Sequence, residues 1–118
     1  MGDRIVYTLK QSDTYAVYLY SHWGGSERYQ SLAYALEKAR ARWSDETYAA
    51  RIIVSNLIGP EWDSETGYGL WAGNGSGDMY GGDYPDIVID LLKQTVEDET
   101  GTHSFEEFIK YHGAVLQV

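Results

Sequence analysis

The sequence predicts an α+β fold: a mainly antiparallel sheet, a two-helix layer on one of its faces and a short C-terminal helix. Three observations lead there. The chain opens with two short segments that read as strands, joined by a tight turn, which is hairpin patterning. Two segments of helical apolar periodicity follow in direct succession. Strand-like runs then return, ahead of a capping box near the C-terminus. Strands grouped around a helical pair, rather than alternating with helices, favour α+β over a doubly wound parallel sheet. The length of 118 residues suits a single domain, 1–118, and neither an internal repeat nor a linker divides it.

Each element has its own signature. From Arg4 to Lys10, Ile5, Tyr7 and Leu9 share one side, as in a strand. Gln11-Ser12-Asp13 is a turn, and Tyr15 to Tyr20 is the returning strand, which ends at Ser21-His22-Trp23-Gly24-Gly25. The two glycines there permit a sharp reversal. A helix follows from about Ser26, with Tyr29, Leu32, Ala33, Leu36, Ala39 and Trp43 in one stripe; on a 100° wheel Arg40 falls inside that stripe. Ser44 reads as the N-cap of a second helix and Gly59-Pro60 as its stop. Between them the residues are apolar nearly all round, as in a buried element. The β-branched residues of Arg51 to Ser55 also fit a strand, but cap, stop and length favour a helix.

Beyond Pro60, Glu61 to Gly67 is a polar loop and Tyr68 to Ala72 a short strand. Gly73 to Gly82 holds five glycines, which suits a loop or a lid over a pocket. Asp86 to Asp90 is a strand. Leu91 to Glu99 is ambiguous, a further strand through Gln94 to Val96 being one reading. Ser104 with Glu107 forms the capping box of a short helix that ends near His112-Gly113, and Ala114 to Val118 is read as an extended tail.

Composition narrows the function classes. There is no cysteine, so disulfides, cysteine-ligated metal and thiol chemistry are excluded, and a reducing cytosol fits. No apolar run is long enough to span a membrane, and the N-terminus opens no signal-peptide pattern. The net charge of −9 is unevenly spread. Residues 1–60 carry seven Lys/Arg and six Asp/Glu, whereas residues 61–118 carry two and twelve. A generic nucleic-acid binder needs a basic face, so direct nucleic-acid binding is not expected. An acidic half can instead imitate nucleic acid towards a basic protein. The 11 Tyr and 4 Trp, against 2 Phe, are rings with polar tips; they suit a ligand-gripping surface or a small amphipathic core.

Three constellations are candidates for a site. The first is the strand-to-helix corner, where His22 offers hydrogen bonds, Trp23 a stacking ring, Arg28 a charge one turn on, and the helix start an anion-attracting set of N–H groups. The plainer alternative is a tight turn whose Trp plugs the core. The second is the pair Arg40 and Arg51 on otherwise apolar faces. Each needs an internal carboxylate, Glu37, Asp45 or one from the second half, or else an anionic ligand. The third is Gly73 to Gly77, which lacks the Lys-Ser/Thr ending of a phosphate loop. Asn74-Gly75-Ser76 also fits a glycosylation acceptor, of little weight without a secretion signal.

Metal and catalytic signals are weak. His22, His103 and His112 form no helical pair, and Asp78, Asp83, Asp86 and Asp90 lack calcium-loop spacing. Ser76 lacks the flanking glycines of a nucleophile elbow, and Ser21 and His22 point to opposite faces of a strand.

Several segments carry a resemblance. A Tyr-rich strand running into Ser21-His22-Trp23-Gly24-Gly25, Arg40 near Trp43, the Ala50-Arg51-Ile52-Ile53 helix, the Glu65-Thr66-Gly67-Tyr68-Gly69 segment and the strand ending at Asp90 together resemble a family of small phage and prophage proteins, many of actinobacteria. The likeness covers most of the chain and names no activity. It implies a phage protein made in the host bacterial cytoplasm, and small proteins of this kind often resemble anti-defence inhibitors. The resulting expectation is sequestration, without turnover and without a cofactor, of an anionic nucleotide-like immune signal. Tyr20, His22, Trp23, Arg28, Arg40, Trp43, Arg51, Tyr68 and Trp71 are the expected lining. A homodimer fits such a small aromatic-rich chain. The alternative is an acidic inhibitor of a basic host defence protein.

Overall fold

Ile5, Tyr7 and Leu9 build a strand in the middle of the sheet, β1 (Ile5–Lys10), in the computed structural model, which describes residues 2–74 and 82–113. β2 (Ala16–Ser21) returns antiparallel to it, with Tyr7 opposite Leu19. β3 (Tyr68–Gly73) adds antiparallel to β2. On the other side of β1, β4 (Ile87–Asp90) pairs in parallel, with Leu9 opposite Ile89. β5 (Thr95–Asp98) and β6 (Gly101–Ser104) extend that side in antiparallel steps. The order is β3-β2-β1-β4-β5-β6. The parallel β1–β4 pair needs a crossover, which the helices supply. The fold is therefore α+β with a mostly antiparallel sheet.

Alternation assigns the two faces. Ile5, Tyr7, Leu9, Ile87 and Ile89 join one cluster with the buried sides of α1 (Arg28–Lys38), α2 (Glu46–Ile58) and α3 (Phe105–His112). All three helices thus cover the same face. On the opposite face Val6, Ala16 and Tyr18 form a smaller cluster with Tyr20 and Trp71. Tyr18 and Trp71 are direct cross-strand partners, and their rings stack at 5.1 Å. No helix among the described residues is long and apolar enough to cross a membrane.

The structure corrects several expectations. The first helix ends at Lys38; a 3₁₀ turn over Arg40–Arg42 follows, so the wheel that placed Arg40 inside an apolar stripe does not reach it. Trp43 turns back instead, and its indole N–H donates to the Leu36 carbonyl at 3.0 Å, satisfying an oxygen of the last turn of α1. The N-cap of α2 is Asp45, not Ser44: its carboxylate accepts the Tyr48 N–H, three residues on, at 3.2 Å. β6 was not expected. It forms because Asp98-Glu99-Thr100-Gly101 closes a tight hairpin whose Gly101 has φ +130°, a conformation that L side chains rarely adopt. The expected capping box is present, with Ser104 and Glu107 exchanging hydrogen bonds at 3.0 Å in each direction.

The corner glycines also have a different role. Gly24 has φ −101°, and Gly25 lies outside the left-handed region too, so neither provides a left-handed reversal. Gly25 is needed for close approach: a Cβ there would lie 2.3 Å from a Tyr84 ring carbon and 2.8 Å from the Asp3 carbonyl oxygen. Most of the glycine-rich stretch and the tail Ala114 to Val118 lie outside the described residues.

Candidate functional site

The nine expected lining residues do not form one pocket; they fall in several places. Tyr20 and His22 pair by a 2.6 Å hydrogen bond between the phenol oxygen and Nδ1. Tyr20 and Trp71 belong to the cluster on the face opposite α1, α2 and α3. Trp23 and Tyr68 line a cleft of about 350 Å³ at the strand-to-helix corner, together with Tyr7. Burial pushes the Tyr7 phenol well above its ordinary range, against the pull of Arg28.

The arginines are engaged elsewhere. Arg28 donates to the Gly25 carbonyl at 2.8 Å and its guanidinium lies over the Tyr84 and Tyr29 rings, 4.0 and 4.5 Å from their centroids. Arg40 forks to Glu37 at 2.9 Å through two nitrogens, bonds Glu106 of α3 as well, and lies over Trp43. These carboxylates raise the Arg40 pKa, and Arg40 holds Glu37 below the usual carboxylate range. Arg51 is exposed on α2 and bonds Ser55 at 3.2 Å. Of the two outcomes open for Arg40, internal pairing is the one observed.

At the corner, one backbone N–H has a partner within the chain. The Gly25 N–H donates to the Asp3 carbonyl at 2.7 Å, and the Asp3 carboxylate accepts from Ser26 and Tyr84, each at 3.0 Å. An acidic side chain therefore stands beside the helix start, although it caps no backbone N–H there. Because the Arg40 side chain is 39% exposed, its ion pairs count for little in water. Arg40→Gln is expected to lower unfolding free energy by less than about 1 kcal/mol, measured by urea denaturation.

A larger concavity lies elsewhere, in a groove of about 820 Å³ between the start of α1, the β5–β6 hairpin and α3. That volume falls within the range of about 300–1,000 Å³ usual for small-molecule sites. One wall is a set of rings. His112 stacks on Tyr29 at 4.9 Å, packs against Phe108 at 4.5 Å and meets the exposed Tyr111 edge-on at 5.4 Å. The other wall is polar. The Thr100 hydroxyl donates to the buried Asp98 carboxylate at 2.5 Å, and its oxygen lies 3.1 Å from His103 Nε2. Because the carboxylate only accepts, the hydroxyl proton is committed to it, and His103 Nε2 then donates to the Thr100 oxygen. This network fixes the imidazole rather than activating Thr100 as a nucleophile. Lys110 stands at the rim. Glu107 also borders the groove, its carboxylate held in the capping box.

Burial lowers the His112 pKa below its ordinary 6.5; His103 acts in the same direction and Asp98 against it. The unfolded chain therefore binds this proton more readily than the folded one. Stability falls as pH drops from about 6.5 through the folded-state pKa, then levels off. His112→Phe is expected to remove that part of the slope, seen by comparing urea midpoints near about pH 7.5 and about pH 5 in both proteins.

Sequence reasoning missed this groove because its parts lie far apart, Tyr29 on one helix and Thr100 to His112 some seventy positions later. The legible signal was the Asp98-to-Gly101 turn ahead of the capping box, which brings Thr102 and His103 beside α3. Among the described residues no group of three His, Cys, Asp or Glu side chains is placed to hold a metal. Comparison with family models, curated proteins and solved structures finds no significant match to the chain.

Proposed function

We propose that the protein is a small-molecule binding protein that sequesters an anionic nucleotide-like ligand in the groove between α1, the β5–β6 hairpin and α3. One observation carries the reading. Residues 61–118 hold twelve acids and only two lysines, yet the groove gathers one of those lysines and two of the chain's three histidines beside a wall of rings. Tyr111 and His112 offer stacking surface for a base, the Thr100 and Thr102 hydroxyls suit a sugar, and Lys110 is the cation for a phosphate. In this reading the groove, not the strand-to-helix corner, holds the anionic ligand that the sequence suggests.

The resemblance to small phage proteins supports placing this activity in the host bacterial cytoplasm, as inhibition of antiviral defence by nucleotide sequestration. Isothermal titration against cyclic dinucleotides and ADP-ribose derivatives tests it. Saturable binding of one class, with the ligand recovered intact by chromatography, is expected. A folded protein giving no heat across that panel overturns the reading.

A second reading rests on the acidic side chains of the second half, among them the exposed Glu97 and Glu99 of β5 and its turn. This acidic surface suits a basic host protein. It predicts salt-sensitive capture of that protein, lost on reversing Glu97 and Glu99 to lysine. Asp98 is unsuitable for the test because it is buried and holds the Thr100 hydroxyl and N–H.

A further inference from the structure

The corner cleft has the opposite chemistry from the groove. Its volume of about 350 Å³ is lined by the rings of Trp23, Tyr68 and Tyr7 and by two carboxylates, Glu27 and Glu61. No lysine, arginine or histidine is among its described lining residues. Neither Glu27 nor Glu61 has an ion pair or a side-chain hydrogen bond among the described residues, in contrast to Glu37, Asp83 and Glu107, which are all engaged. Burial raises the Tyr68 pKa and the Glu61 charge adds to the rise, while a hydrogen bond with Ser21 opposes it.

The Trp23 ring is held but not hidden. It is 59% exposed, and it lies so close over Gly67 that a Cβ there would come within 2.5 Å of it. Gly67 has φ +101°, so glycine is required at that position for its backbone as well as for the ring. The His22 ring meets the indole at 5.1 Å, nearly perpendicular to it. The indole thus lines a cleft together with two carboxylates that have no ion pair among the described residues. Aromatic faces attract cations through their quadrupole, and nearby carboxylates add direct charge attraction. A phosphate would be repelled by the same pair.

We infer that this cleft is a second binding site, for a small organic cation such as a quaternary ammonium or an alkyl diamine. It is independent of the nucleotide groove, since none of its lining residues is shared with that groove. The wall formed by Leu57, Ile58 and Pro60 would take the alkyl portion, the indole would face the cationic head, and Glu27 and Glu61 would balance its charge.

Titration calorimetry of the full chain with choline and with putrescine, at low salt, tests the inference. Saturable binding of at least one probe is expected. Trp23→Leu is expected to weaken it about tenfold, and Glu27→Gln or Glu61→Gln at least about fivefold. All three side chains are exposed, so circular dichroism should show the variants folded. Lys110→Gln in the groove should leave cation binding unchanged. Absence of heat with both probes, or binding indifferent to both glutamate variants, or binding lost in Lys110→Gln, overturns it. None of these outcomes depends on whether nucleotides bind the groove.

Discussion

Phe105→Ala is expected to lower the unfolding free energy by about 3–5 kcal/mol, the usual cost of emptying a buried phenylalanine site. Phe105 is 1% exposed and opens α3, the helix that forms one wall of the groove. Its ring meets Trp43 edge-to-face at 5.1 Å. Trp43 in turn is tied to the end of α1 through the Leu36 carbonyl, so one ring contact joins α3 to the turn between α1 and α2. The Phe105 N–H also donates to the Gln94 carbonyl at 3.0 Å; that bond survives the substitution, which isolates the packing effect. Against a total of roughly 5–15 kcal/mol for a domain, the loss is large. At about 4 °C per kcal/mol for a chain of this size, the melting temperature should fall by roughly 12–20 °C. Tyr111→Ala, six residues on in the same helix but 83% exposed, should change it little. A small loss for Phe105→Ala would show that α3 is not held to the body of the protein by this ring.

What the sequence makes legible is local. The alternation of Ile5, Tyr7 and Leu9 places β1, and Ser104 with Glu107 places the start of α3, because each signal needs only a few neighbouring residues. Arg40 shows where local reasoning stops. Its place on a helical wheel depends on the helix continuing, and the chain passes into a 3₁₀ turn two residues after Lys38. The corner glycines were legible as glycines but not in their reason: Gly25 makes room for Tyr84, fifty-nine positions later. Candidate site residues suffer most from this. The sequence reads Arg28 as a phosphate holder beside a helix start, whereas two tyrosine rings take the guanidinium and the Asp3 carboxylate bonds Ser26 and Tyr84 beside that start. The composition signal, many amphipathic rings and few cations in the second half, was present in the chain. Only the fold shows that Lys110, His103 and His112 converge beside Tyr29.

Removing the Lys110 charge and the Tyr111 ring together is expected to weaken nucleotide binding by between about tenfold and about a hundredfold. Each single change should account for about tenfold: Lys110→Gln removes the cation assigned to the phosphate, and Tyr111→Ala removes a stacking face. The two residues are neighbours on α3, so their effects should couple and the sum is an upper bound. Both are exposed, so lost binding cannot be blamed on lost folding, in contrast to Phe105. Lys110→Gln should also flatten the salt dependence of binding, because exposed charge pairs are the ones that salt screens, while Tyr111→Ala should leave that dependence intact. Arg51→Gln is the matching control, since that guanidinium lies on α2 beside Ser55, away from the groove lining. If Lys110→Gln and Tyr111→Ala leave affinity unchanged while Glu97→Lys with Glu99→Lys abolishes the protein's activity, the acidic surface and not the groove is the working part. The two readings separate because the groove needs its few positive and aromatic groups, whereas a protein-binding face needs the acids.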